Sequence, residues 1–304
     1  MRRLFLVAVL SVGFAHFAAP QGTTARRLPR FEAGVEVTQI NISVTHGRQF
    51  VTGLSQDDFA IFEDGVRQQI SLFIPENLPL SLVLMLDTST SMTEKLATVR
   101  AAAKRFVNTL GAEDLAEVVQ FNDRTTTLQE YTSDHAALEA AIDKTEASGP
   151  TALHNALYVS LKDLARQKKS GELRRWAIVL LSDGDDTASL VTDEQVIELA
   201  RQTEIHIYAV SLSSSRPGKS FSQAAYLLST LANDTGGRVY FPNSLSELEQ
   251  VYERIAEELR TQYSLGYISN NSKRDGKWRR IVVRLPARDD VEIRHKIGYY
   301  APAR

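Results

Sequence analysis

Apolar and polar positions follow three different rhythms along this chain. From Gly34 to about residue 74 they alternate. Val35, Val37, Ile40, Ile42 and Val44 interleave with polar residues, Phe50-Val51 follows His46-Gly47, and the runs Phe59–Phe62 and Val66–Ile70 flank Asp64-Gly65. A period of two predicts half-buried strands. The slip in phase near Thr38-Gln39 predicts a bulge, and Asp64-Gly65, two residues that tolerate positive φ, predicts a tight hairpin. After the break at Pro75–Pro79 the rhythm changes. The apolar runs Leu82–Leu86, Leu115–Phe121, Trp176–Leu181 and Ile205–Leu212 alternate with stripes at helical spacing, such as Leu96, Val99, Ala103, Phe106, Val107 and Leu110, or Leu153, Ala156, Leu157, Leu161 and Leu164. Further helices are predicted near 134–144, 193–203, 224–231 and 248–262, a hairpin partner at Thr125–Tyr131, and a short strand at Val239–Phe241. From Tyr263 alternation returns, with a second hairpin signal at Asp275-Gly276 and strand-like Ile281–Val283, Val291, Ile293 and Ile297.

Strands alternating with helices predict a mostly parallel sheet covered on both faces, an α/β domain over residues 79–262. The β segments 33–75 and 263–301 are each too short to bury a convincing core alone. The expectation is that they pair into one β-sandwich into which the α/β domain is inserted. Ahead of them, Met1-Arg2-Arg3 and the uncharged, almost wholly apolar Leu4–Ala19 have the layout of a secretory signal peptide, placed with the start of a linker in residues 1–25. The apolar run is short of the roughly 20 residues that cross a bilayer. The expected mature chain has no membrane span and is secreted or held in the periplasm or cell envelope.

Composition narrows the chemistry. Apolar content of 43% and charged content of 24% are those of a globular protein. A net charge of −2 gives no electrostatic case for nucleic acid. With no cysteine, disulfides, thiol nucleophiles and thiolate metal sites are excluded. The six histidines show no paired metal-binding spacing, and neither a G-x-S-x-G elbow nor a P-loop occurs.

What remains is oxygen chemistry at the ends of strands. Leu82–Leu86 stops at Asp87-Thr88-Ser89-Thr90-Ser91, placing three hard donors at every second position. Such donors suit a hard divalent cation. Ligands of open α/β sheets bind just beyond the carboxyl ends of the strands. Plainer readings stand beside this one. Ser91-Met92-Thr93-Glu94 matches a helix capping box, Thr151 is placed to cap the helix that follows it, and Ser182-Asp183-Gly184 has the composition of a tight turn. Asp185 reads as a solvated acidic turn, Asp186 as a support to the site, Asn122 and Asp123 as neighbours of its rim or a plain hairpin turn, and Arg279-Arg280 as solvated charges.

The set Asp87-x-Ser89-x-Ser91, Thr151 and Asp183 resembles the metal-ion-dependent adhesion site of von Willebrand factor type A (VWA) domains across residues 80–262. Asp58–Gly65, Tyr263–Tyr267 and Ile297–Tyr300 resemble the flanks of secreted, bacterial-type VWA-related proteins. The resemblance implies a Rossmann-like six-stranded sheet with one antiparallel edge. It also implies a bound Mg2+, or Ca2+ or Mn2+ in its place. Ser89 and Ser91 would ligate it directly, and Asp87, Thr151 and Asp183 directly or through water. A protein partner would add an aspartate or glutamate carboxylate as the missing ligand. Two other readings are carried: a metal-dependent, phosphatase-like hydrolase, for which no base or nucleophile is arranged nearby, and an envelope scaffold with a vestigial site.

Overall fold

The computed structural model describes residues 37–75, 78–168, 173–212 and 223–303, which leaves the expected signal peptide outside the described residues. The chain opens with β1 (Thr38–His46), β2 (Gln49–Phe50), β3 (Ala60–Glu63), β4 (Val66–Gln68) and β5 (Ile70–Ile74). An α/β run follows: β6 (Leu80–Asp87), α1 (Leu96–Val107), β7 (Leu115–Phe121), β8 (Thr125–Thr132), α2 (His135–Asp143), α3 (Leu153–Lys168), β9 (Arg175–Ser182), α4 (Asp193–Thr203), β10 (His206–Ser211), α5 (Gln223–Thr235), β11 (Arg238–Tyr240) and α6 (Leu248–Thr261). The last strands are β12 (Tyr263–Tyr267), β13 (Trp278–Arg284), β14 (Glu292–Arg294) and β15 (Gly298–Tyr300).

The α/β run forms a six-stranded sheet in the order β11-β10-β9-β6-β7-β8, parallel except for β8 at one edge. β6 is buried at every position because both of its faces are covered. Leu82, Leu84 and Leu86 join α1 and α6 in one apolar cluster, while Val83 and Met85 join α3 and α5 in another. A strand covered on both faces has no polar alternation, which is why it reads as a continuous apolar run. From β6 the chain steps outward through β7 and β8, then returns to the other side of β6 and steps outward again through β9, β10 and β11. The direction reverses between β6 and β9, and crevices at such reversals are where open sheets bind ligands.

The first and last strands interleave. One sheet runs β14-β1-β12-β5 with β2 beside β1, and the other runs β15-β13-β3-β4. Ile40, Ile42, Tyr263 and Leu265 of the first sheet share a single apolar cluster with Ile61, Ile281, Val283 and Tyr299 of the second. The polar positions of β1 are buried too, but against the α/β layer. Asn41 meets His206 at 3.1 Å, and Ser43 donates to Glu258 at 3.0 Å. Glu258 also accepts from Tyr208 and pairs with Arg294, while Arg175 donates to the carbonyls of Leu259 and Gln262. These contacts fasten the end of α6 to the small sheets, at the edge of the large sheet away from Asp87.

Several local expectations change. Asp64-Gly65 forms its turn, with φ of 47° and 85°, but Asp275-Gly276 closes no hairpin; Asp275 bridges to Ala303 instead. No bulge interrupts β1 near Thr38, whose ladder to β12 runs unbroken through Ile42. The helix expected to reach Leu110 ends at Val107. Arg279 is not solvated. It is 2% exposed and pairs with Glu63 at 3.2 Å.

Candidate metal centre at the carboxyl edge of the sheet

β6 and β9 lie side by side in register, so Asp87 and Ser182 end the two strands together. Ser182 donates to Asp87 Oδ2 at 2.6 Å, and the Ser89 amide donates to Asp87 Oδ1 at 2.8 Å. The Ser89 and Ser91 hydroxyls are 3.0 Å apart, and Ser91 donates to Asp183 Oδ1 at 2.7 Å. The other oxygen of Asp183 is held by the ammonium of Lys95. A continuous chain of polar contacts therefore links Ser182, Asp87, Ser89, Ser91, Asp183 and Lys95.

The turn after β6 is shaped by the loop before α3. Gly149, at a φ of +72° that suits glycine, turns its carbonyl onto the Thr90 amide and hydroxyl at 2.9 and 3.1 Å. Ser148 N donates to Thr88 O, and Asn122 O accepts from Ala152 N. Asn122 and Asp123 thus lie against this loop. Thr151 follows, 5% exposed, its carbonyl taken by Thr187 N and Ala188 N. Ser89, Ser91, Gly149, Thr151, Asp185 and Thr187 line one open pocket of about 300 Å³.

The capping readings of Ser91 and Thr151 do not hold in the fold. Ser91 caps no helix: α1 begins at Leu96, with Lys95 at its cap position, while the Ser91 hydroxyl is turned onto Asp183. The first amides of α3 go elsewhere than to Thr151, His154 N to Asp186 and Asn155 N to Ser189. Asp186 accepts from His154 N and Ser189 N, so its work is to pin the loop to the start of α3. Those bonds outweigh its burial and hold its carboxyl below the usual range. Asp185 is not a free solvated turn residue but accepts from Ala224 N near the start of α5.

The electrostatics of the centre are unbalanced. Burial pushes the Asp87 carboxyl above its usual range; the Ser182 and Ser89 bonds oppose the rise and the charge of Asp183 adds to it. A second cation would relieve exactly this pair of acids, and the surrounding donors are hard oxygens, the set that suits Mg2+ or Ca2+. Among the described residues no group of three His, Cys, Asp or Glu converges, so any ion held here relies on hydroxyls. Two participants carried no expectation, Ser182 and Lys95. Ser182 was accessible from the register of two neighbouring strands that stop together. Lys95 gave no signal beyond lying one turn past Ser91.

Comparison with known proteins agrees with this architecture. The family model for the von Willebrand factor type A domain matches residues 81–254, more than half of the chain. An uncharacterized protein of Synechocystis, sll0103, is 34% identical over 112 residues, 36% of this chain and 26% of the relative, so the chain spans about a quarter of the length of that curated relative. Among solved structures, a von Willebrand factor type A protein from Catenulispora acidiphila superposes with a TM-score of 0.51 at 11% identity, covering 90% of this chain and 75% of that one. Proximal thread matrix protein 1 from the mussel byssus, described with a zinc-occupied MIDAS motif, gives a TM-score of 0.51 at 20% identity over 66% of this chain and 50% of its own. The family is one of interaction modules rather than enzymes, and by the extent of the match this chain belongs to the von Willebrand factor type A domain family.

Proposed function

We propose that the chain is an exported protein-binding module that uses a divalent cation to dock an acidic residue of a protein partner. The observation that carries this reading is one open pocket lined by Ser89, Ser91 and Thr151 where the strand order reverses, with Asp87 accepting from the Ser89 amide and Asp183 from the Ser91 hydroxyl behind it. Ser89 and Ser91 would supply hydroxyls to the ion, and Asp87, Thr151 and Asp183 would bind it directly or through water. Mg2+ fits the donors best, with Ca2+ or Mn2+ able to take its place. Neutral hydroxyls leave part of the ion's charge uncompensated, and a partner carboxylate supplies the balance.

The rim supports a macromolecular partner. Leu190 is 92% exposed, yet its amide and that of Val191 are both held by Asn155 Oδ1 at 3.1 Å. A large apolar side chain is displayed on a fixed loop whose earlier residues, Asp185 and Thr187, line the pocket. Within the module, residues 79–262 would form the binding domain and the strands of 33–75 and 263–301 a sandwich that carries it, with the site facing away from the carrier. Among the described residues no helix is long and apolar enough to cross a membrane.

The test is retention of cell-envelope proteins on the immobilised protein. Partners should be retained with Mg2+, released by chelator, and lost with Asp87→Ala. Equal retention in excess chelator would refute the reading.

A further inference from the structure

Lys95 stands in a position that its own helix disfavours. It occupies the cap position of α1, makes no capping bond with its side chain, and brings a positive charge to the end of the helix that already carries one. Caps at this position favour side chains that accept hydrogen bonds, which an ammonium cannot do. The compensation lies across the turn. The Lys95 side chain, 32% exposed, reaches back to Asp183, whose side chain is 1% exposed. Ser91 takes the remaining oxygen of Asp183, so both are engaged within the chain. Among the described residues this is the one cation paired with an acid of the centre.

We propose that Lys95 is a resident counter-ion of this centre: it neutralises Asp183 in the metal-free protein, and a divalent ion must bind against it, so metal affinity is set by a competition written into the chain. The inference rests on the metal-binding reading above. An ammonium on one oxygen of Asp183 lowers the charge available to an incoming ion and repels it directly. At separations within one side chain, such repulsion is worth about tenfold or more in affinity. The centre would then hold its ion firmly only when a partner carboxylate adds a negative charge, making metal and partner binding mutually reinforcing.

The experiment compares the wild-type protein with Lys95→Met, Lys95→Gln and Lys95→Arg after removal of metal with a chelator. Binding of Mg2+ and Mn2+ is measured by calorimetry and melting with and without each ion. Lys95→Met and Lys95→Gln should bind Mg2+ about tenfold or more tightly than wild type, and Lys95→Arg, which keeps the charge, should bind as wild type does. Without metal the two neutral variants should melt below wild type, because Asp183 has lost its partner, and should gain more from Mg2+. Two uncharged variants guard against one that fails to fold. Unchanged or weaker affinity in the neutral variants, with wild type binding normally, overturns the role of Lys95 alone. No binding of either ion by any of the proteins overturns both this proposal and the metal-binding reading.

Discussion

Glu63, among the small β sheets, and Asp87, at the edge of the parallel sheet, are 2% and 0% exposed, and the chain treats the two carboxylates differently. Glu63 receives Tyr267 and Tyr299 hydroxyls at 2.8 and 2.9 Å, the Ser269 hydroxyl at 2.6 Å and the Arg279 guanidinium at 3.2 Å. Burial alone would push its carboxyl up, but these four donors together hold it below the usual range. Asp87 has an amide and serine hydroxyls, no cation of its own, and a second acid close enough to raise it further. The first centre is complete: its charge is balanced by side chains of the same fold, which is how a buried carboxylate serves structure. The second is left short of positive charge beside an open pocket, which is how a site looks when its last component comes from outside.

The largest expected effect breaks the complete centre. Glu63→Ala takes from Arg279, 2% exposed, the nearer and more buried of its two acids and leaves it Asp275 at 3.5 Å. Removing one partner of a buried pair costs about 3–5 kcal/mol. Denaturant unfolding should show a loss of that size whether or not Mg2+ is present. A loss below about 1 kcal/mol would mean that Asp275 and the Asn271 and Lys273 carbonyls suffice for Arg279, and that Glu63 does not anchor the centre.

The incomplete centre should respond the other way. Asp87→Asn keeps an acceptor for the Ser89 amide and removes a charge that burial disfavours, so metal-free stability should stay within about 1 kcal/mol of wild type. What should disappear is stabilisation by Mg2+, about 2.7 kcal/mol at a hundred times the dissociation constant. Melting curves of both proteins across a Mg2+ series test this directly. Metal-dependent stabilisation that survives in Asp87→Asn would place the ion elsewhere.

How far these centres could be read from the sequence depends on where their partners lie along the chain. The six-stranded sheet was legible because strands covered on both faces show as unbroken apolar runs and helices as stripes; the helix expected at 193–203 is observed at Asp193–Thr203. Asp87, Ser89, Ser91 and Asp183 could be grouped because each follows a strand whose place in such a sheet is predictable. Glu63 and Arg279 could not, since the two are 216 positions apart and meet only because β3 pairs with β13. A pair of arginines before a strand looks solvated until its partner strand is known. Lys95 escaped for a related reason: its function is set by a side chain reaching across a turn, which leaves no periodic trace. Ser91 in a capping box and Ser91 on Asp183 are the same letters, and only the late start of α1 separates them.

Acidity offers a smaller test of the complete centre. A carboxyl held below its usual 4.5 contributes stability that is fully present above that value and is lost as pH falls through the folded one. The stability difference between wild type and Glu63→Gln should therefore be constant at neutral pH and shrink below about 4.5 as Glu63 takes up its proton in the fold. A difference that instead grew on acidification would mean that burial outweighs the four donors, and Glu63 would then resemble Asp87.

The smallest effect on stability is expected at Leu190, and it separates display from packing. At 92% exposure the side chain has almost no burial to lose, so Leu190→Ala should change unfolding free energy by no more than about 0.5 kcal/mol. The loop itself should be unaffected, because it is held through backbone amides: Leu190 and Val191 on Asn155, and Thr187 and Ala188 on the Thr151 carbonyl. Mg2+ affinity should also be unchanged, since Leu190 offers no donor to an ion. If the rim contacts a partner, Mg2+-dependent retention of that partner should nevertheless fall several-fold. Asp87→Ala would then remove binding through the ion, and Leu190→Ala would weaken it with the ion in place. Retention that ignores Leu190 would restrict recognition to the pocket and deprive the exposed leucine of a role in docking.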